Sequence, residues 1–292
     1  MFDRLVVATD LSPASDAVVG CLHGLQAVGA RQVVLVHALG IKHLESLKYP
    51  MMEWAEPRLA RQAASLREQG FATETVMPTG AAAVEVNQIA DKENASLIVV
   101  GSHGATATEE ILLGGTALAI LHHARRPVLI ARLSIIHGPD GQRCEAACVD
   151  YLRHILYPTD FSDGSEAALE RVSHLVKAGA RRVTLCHVQD RAKLHGHLEH
   201  RLEEFNHIDR QRLERIKAEL EAQGATDIRI EIPYGSPVQE IQRLIGTDDV
   251  SWVIMGSQGR GFIAEVFLGS VGHHVARRSP VPVLLVPAAR RE

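Results

Sequence analysis

Aromatic residues make up only 4% of this 292-residue chain, too few for the stacking platforms that grip single-stranded nucleic acid. Charge of one sign is also lacking: 31 Lys and Arg stand among 35 Asp and Glu, for a formal net charge of −4. That balance excludes both a basic nucleic-acid face and an acidic tail. No apolar run reaches membrane-spanning length, and the opening Met1-Phe2-Asp3-Arg4 has no signal-peptide apolar segment, so the expected location is the cytoplasm. Four cysteines are too few for a disulfide framework; Cys21 and Cys186 lie in apolar segments and are expected to be buried free thiols. Gly-x4-Gly-Lys-(Ser/Thr) is absent, which excludes a P-loop hydrolase, and local motifs assemble no Ser-His-Asp or Cys-His arrangement.

What the chain does have is a repeat. Leu5-Val-Val-Ala-Thr-Asp10-Leu-Ser-Pro-Ala-Ser15 returns as Ile155-Leu-Tyr-Pro-Thr-Asp160-Phe-Ser-Asp-Gly-Ser165, and Arg31-Gln-Val-Val-Leu-Val-His37 as Arg181-Arg-Val-Thr-Leu-Cys-His187. Leu97-Ile-Val-Val-Gly-Ser-His-Gly104 returns as Trp252-Val-Ile-Met-Gly-Ser-Gln-Gly259, and Arg126-Pro-Val-Leu-Ile-Ala as Val281-Pro-Val-Leu-Leu-Val. The first two pairs are offset by 150 residues and the third by 155, which places one insertion in the middle of the second copy. The division is residues 1–133 and 153–292 as two domains, with 134–152 as a linker around His-Gly-Pro-Asp-Gly.

Each copy reads as five strands alternating with helices. In the second, strands are expected at 154–159, 182–188, 227–232, 251–256 and 281–286. Helices are expected from Ser162 or Asp163 to about Ala178, over 197–223, over 237–245, and from Ser270 to Arg278. The 197–223 helix carries Arg210/Glu214 and Arg215/Glu219 one turn apart. The strands read as continuous apolar runs, which suits a parallel sheet covered by helices on both faces. The fold class is therefore α/β, two tandem doubly wound, Rossmann-like domains.

The chemistry concentrates in Gly256-Ser-Gln-Gly259, followed after nine residues by Gly269-Ser270. Glycines at 256 and 259 admit backbone amides to an anion without an obstructing Cβ and permit positive φ. Gly269-Ser270 opens a helix, whose unpaired amides and dipole favour negative charge. Asp160 ends the first strand and Gly256 the fourth; as neighbours at the topological switch point they line one crevice.

On these residues both copies resemble the universal stress protein domain, whose nucleotide-binding members carry Gly-x2-Gly-x9-Gly-(Ser/Thr). The resemblance implies a parallel sheet of order 3-2-1-4-5 and bound ATP or a related adenine nucleotide. It places adenine near Pro158, Thr159, Asp160 and the backbone of Val188, with Met255 beside the nucleoside. Ribose and phosphates fall to Gly256, Ser257, Gly259, Arg260, Gly269, Ser270 and Val271. It also implies that the last strands, 127–131 and 281–286, pair across a pseudo-two-fold axis, so that one chain imitates the family's dimer; further dimerisation is an expectation of the same kind.

The first copy departs from the pattern. Gly101, Gly104 and Gly114 are kept, as is Asp10, but the Ser/Thr position is Gly115, with the hydroxyl moved to Thr116. Its loop carries Glu109 and Glu110 where the second copy has Ala264 and Glu265, and the extra carboxylate disfavours a triphosphate. Weaker binding, or none, is expected in the first lobe. Histidines are numerous, with His122-His123, His273-His274 and a group at His195, His197, His200 and His207; Cys144-x3-Cys148 lies near His137 and His154. Neither set completes a recognised metal-ligand pattern, so no metal is expected. His103 of the first loop becomes Gln258 in the second, which leaves the better cradle without a loop histidine.

The leading reading is an ATP-binding regulatory module of the stress response, in which nucleotide orders the 257–268 loop and changes the surface offered to a partner. A slow ATPase or other nucleotide-processing enzyme on the same cradle, and a scaffold sensing metal or redox state, are the alternatives.

Overall fold

The computed structural model describes residues 1–40, 48–102, 113–138, 141–146, 149–194, 196, 199–259 and 268–288, with the backbone alone at 48, 134–138, 141–146 and 199. It divides into two compact units, Met1–Val149 and Asp150–Glu292.

The first unit runs β1 (Arg4–Ala8), α1 (Pro13–Gly20), a 3-10 turn (Leu22–Val28), β2 (Gln32–Val36), α2 (Lys48–Glu68), β3 (Ala72–Val76), α3 (Ala82–Lys92), β4 (Leu97–Gly101), α4 (Gly115–His123) and β5 (Val128–Ala131). Its parallel strands lie in the order β3-β2-β1-β4-β5. Residues read as the start of a linker instead form an antiparallel hairpin, β6 (Leu133–Gly138) with β7 (Gly141–Ala146), lying against α1.

The second unit runs β8 (Ile155–Pro158), α5 (Asp163–Lys177), β9 (Arg182–Cys186), β10 (Gln189–Asp190), α6 (Arg191–Leu194), a 3-10 turn (Glu199–Arg201), α7 (Leu202–Ala222), β11 (Asp227–Glu231), β12 (Tyr234–Gly235), α8 (Pro237–Thr247), β13 (Trp252–Gly256), α9 (Ser270–Arg278) and β14 (Val283–Val286). Its sheet order, β11-β9-β8-β13-β14, repeats that of the first unit. The 3-2-1-4-5 expectation holds in both.

Local chemistry sets the element ends. Ser162 caps α5 by accepting from Ser165 N, while Asp163 and Glu166 in the first turn complement the helix dipole. Ala168, Val172, Leu175 and Val176 bury one face, and Gly179, at φ 123°, ends the segment in the left-handed region. The central strands β8 and β13 are buried along almost their whole length. The outer strands β3 and β11 are not apolar runs: Ala72–Val76 and Asp227–Glu231 are largely exposed or half-buried, because each has a strand neighbour on one side only within its unit.

Register also divides the insertion. Gly70 and Gly224, both at positive φ after the long helix, are 154 residues apart, whereas Ala72 and Asp227, which open the outer strands, are 155 apart. Four extra residues therefore precede α7 and one follows it.

Two expectations about side chains change. Cys186 is a buried free thiol, but Cys21 is disulfide-bonded, so reading it as free was wrong. Its apolar neighbours gave no hint of a bridge because a bridge joins residues brought together by tertiary structure. His154 is fully buried, with Nδ1 against Asp248 O at 2.9 Å and Nε2 against Thr184 Oγ1 at 2.9 Å, so both ring nitrogens are engaged within the fold. His195 and His197, and the side chains of His137, Cys144 and Cys148, lie outside the described residues.

Candidate functional site

The carboxyl ends of β8 and β13 meet at the switch point of the second sheet, where Ile155 and Leu156 pair with Trp252 and Val253. There the chain opens a cavity of about 740 Å³. Its wall includes Pro158, Thr159, Asp160, Val188, Met255, Gly256, Ser257, Gly259, Gly269, Ser270 and Val271. The structure thus brings together every described residue expected at the site; Arg260, and Gly104 of the first copy, lie outside the described residues.

Asp160 is held from below. Its Oδ1 accepts from Ser162 N at 3.1 Å, from Ser162 Oγ, and from Ser165 Oγ at 3.2 Å. Phe161 then turns the chain at φ +58°, a left-handed conformation uncommon for a bulky residue, with its N–H donating to Thr159 Oγ1 at 3.0 Å. Leu11 does the same in the first unit, at φ +61° and with Thr9 Oγ1. The Thr-Asp-apolar-Ser string in both copies carries this turn, and sequence reasoning did not extract it.

The two loop glycines have different reasons from those expected. Neither sits at positive φ. A Cβ on Gly256 would lie 2.7 Å from Gly164 C and 2.8 Å from Ser165 N, so this glycine lets α5 approach β13 backbone to backbone. A Cβ on Gly259 would lie 2.6 Å from Asp160 Oδ2, so this glycine leaves room for the carboxylate to reach the loop. On the other side, Gly269 N donates to Ser257 O at 2.7 Å and caps α9 without any side-chain bond to its first amides. Ser270, Val271 and Gly272 present that helix start to the cavity, with the dipole favouring an anion. The Ser257 hydroxyl is buried and has no partner among the described residues, a polar group the fold leaves for something else to satisfy. These features fit a phosphate-bearing ligand.

The opposite wall was not foreseen. Leu194 of α6 and Phe205, Ile208, Asp209 and Arg212 of α7 close the cavity, together with His187 and Gln189 after β9. Burial pushes the Cys186 thiol, also on the wall, up to about 12, which keeps it protonated and unreactive near neutrality. Among the described residues no cluster of three or more His, Cys, Asp or Glu could hold a metal ion.

The first unit repeats the backbone. Asp10 accepts from Ser12 and Ser15, Gly114 N donates to Ser102 O at 2.9 Å, and Gly114 caps α4 without a side-chain bond. Gly101, like Gly256, ends its strand.

The family model for the universal stress protein family matches residues 1–132 and again 152–287. A universal stress protein of Methanocaldococcus jannaschii is 34% identical over 153 residues, which span 46% of this chain and 94% of that protein. One from Bacillus subtilis is 31% identical over 143 residues, 45% of this chain and 97% of that protein. The crystal structure of a universal stress protein from Archaeoglobus fulgidus superposes with a TM-score of 0.75 at 25% identity, covering 99% of this chain and 100% of that one. No helix among the described residues is long and apolar enough to cross a membrane. The chain belongs to the universal stress protein family, with two of its domains in tandem.

Proposed function

We propose that the second unit binds ATP or a related adenine nucleotide in the cavity at the ends of β8 and β13, and that the chain works as a nucleotide-dependent regulatory module. The observation that carries this reading is the convergence on one cavity of the Asp160 carboxylate, the glycine loop with its Ser257 hydroxyl, buried without a partner among the described residues, and the start of α9, whose cap offers no side-chain bond. A cavity of about 740 Å³ falls within the range of small-molecule sites. Base and ribose face Pro158, Thr159, Asp160, Val188 and Met255; phosphates rest on Gly256, Ser257, Gly259, Gly269, Ser270 and Val271, with Arg260 as their counter-charge.

Binding rather than turnover is the activity proposed. Gln258, which lines the cavity in place of a loop histidine, is not a general base. Denaturing the purified chain and weighing what it releases tests the reading: an adenine nucleotide is expected. No released nucleotide, together with no thermal shift at millimolar ATP, would contradict it. Steady-state phosphate release that vanishes in Asp160→Ala would instead move the protein into the slow-ATPase class.

A further inference from the structure

Around Asp160 the second unit builds a closed ring of side chains whose members differ from those at the same places in the first unit. His187, just after β9, donates from Nδ1 to Thr159 O at 2.8 Å; a carbonyl only accepts, so the proton sits on Nδ1. Its Nε2 faces Asp209 Oδ2 at 3.4 Å. Asp209 is nine-tenths buried on α7 and also accepts from Gln189 Nε2 at 2.9 Å and Arg212 Nη1 at 3.3 Å. The Arg212 guanidinium then lies 5.1 Å above the Phe161 ring, and that ring sits 4.7 Å from His187. The ring therefore touches the residue before Asp160 and the residue after it.

In the first unit the long helix reaches the same turn by a neutral route: Gln62 Oε1 of α2 accepts from Thr9 Oγ1 at 2.8 Å, and its Nε2 donates to Asp16 Oδ1 at 2.6 Å. His37 Nδ1 still meets Thr9 O at 3.0 Å, but Leu11 replaces Phe161 and, one long-helix register back, Ala55 replaces Asp209. Arg58, in the place of Arg212, stacks over Trp54 instead. The charged Asp209–Arg212 clamp thus accompanies the complete glycine cradle, and the neutral Gln62 bond the altered one.

We infer that Asp209 is a positioning residue: through His187 on one side and Arg212 and Phe161 on the other, it ties α7 to the Thr159–Phe161 turn and fixes the Asp160 carboxylate toward the nucleoside. The inference rests on the nucleotide reading above. A buried carboxylate that accepts from Gln189 and Arg212 and packs against the His187 ring has discrete geometry, and removing its charge leaves the Arg212 guanidinium without its counter-charge.

A double-mutant cycle in the full chain, read as the ATP dissociation constant by calorimetry, separates positioning from mere stability. Asp209→Asn, which keeps an acceptor for Gln189, is expected to weaken ATP roughly fivefold when Asp160 is present. In an Asp160→Ala background the same change is expected to shift the constant less than about twofold, because the group it positions is gone. Arg212→Met, which opens the ring from the Phe161 side, provides a second route with the same expected dependence on Asp160. Thermal midpoints taken alongside show that each variant folds. Equal losses in both backgrounds, or no loss with Asp160 present, would overturn the inference while leaving nucleotide binding intact. A wild-type chain that binds no nucleotide would instead remove the functional reading, and this inference with it.

Discussion

In the first unit the Ser102 hydroxyl accepts from Leu133 N at 3.3 Å, at the foot of the β6–β7 hairpin; in the second, the corresponding Ser257 hydroxyl is buried with no partner among the described residues. The same contrast recurs around both crevices. Gly164 lets α5 lie along β13, whereas Ala14 stands in its place and α1 leans on the hairpin. Ser270 opens α9, whereas Gly115 opens α4. The five main-sheet strands of each unit match in order, down to the left-handed residue after each aspartate. Duplication preserved the scaffold, and divergence in a few side chains separates a crevice whose Ser102 hydroxyl is engaged within the fold from one whose Ser257 hydroxyl has no partner among the described residues. Fold and site are thus separable properties of one architecture.

The contrast can be broken most severely at Gly256. Alanine there meets backbone atoms of Gly164 and Ser165 that cannot rotate aside, so Gly256→Ala is expected to destabilise the second unit by about 1–3 kcal/mol and to abolish ATP binding. Denaturant unfolding and calorimetry check both; unchanged stability would mean that the close approach of α5 to β13 is not as described.

A milder exchange sharpens the comparison. Ser270→Gly, which copies the first unit, removes one hydroxyl from the start of α9 and should weaken ATP roughly threefold to tenfold, the worth of one hydrogen bond. Its thermal midpoint should hold within a few degrees. An affinity indistinguishable from wild type would show that the backbone amides suffice and that Gly115 is no reason to expect weaker binding in the first unit.

The smallest effect concerns pH. His154 occupies the place of Arg4, each backbone N–H donating to a serine hydroxyl at the head of the neighbouring strand. Burial first, then the charge of Arg182, lowers the His154 pKa below its ordinary 6.5. The unfolded chain therefore binds the proton more readily, so this contribution to stability is complete above pH 6.5 and is lost as pH falls through the lower folded value. The first unit has no histidine at this place. Acidification from pH 7.5 to 5 should accordingly lower the unfolding midpoint of the second unit more than that of the first, and His154→Gln should flatten the difference. A pH slope unchanged in His154→Gln would assign it to other groups.

Much of this was legible in the chain. The repeated strands and the Asp160 and Gly256 ends are local patterns, and the start of α9 falls at Ser270 as expected. What escaped reading was tertiary. Asp209 and Arg212 look like ordinary charges on a polar helix, and only the fold carries them over a cavity whose other walls include residues 158–160 before them and 255–259 and 268–272 after them. Gly256 was assigned to the ligand, yet its tightest constraint is α5, because a sequence does not display which backbone approaches a glycine. Arg210, Glu214, Arg215 and Glu219 were paired by helical spacing; the ion pairs that α7 does make include Arg212 with Asp209 and Lys217 with Glu221. The bond at Cys21 was hidden for the same reason: spacing in sequence carries no information on a bridge between distant segments.

Native mass spectrometry of the intact chain with graded ATP, beside Gly259→Ala, tests the central claim most directly. The Gly259 variant places a methyl carbon 2.6 Å from Asp160 Oδ2, at the end of a side chain that can move, so the fold should survive while the site does not. The account predicts one nucleotide per wild-type chain before any second adduct forms, and loss of that first adduct in Gly259→Ala. Two nucleotides of equal affinity, or a first adduct that persists in the variant, would contradict it.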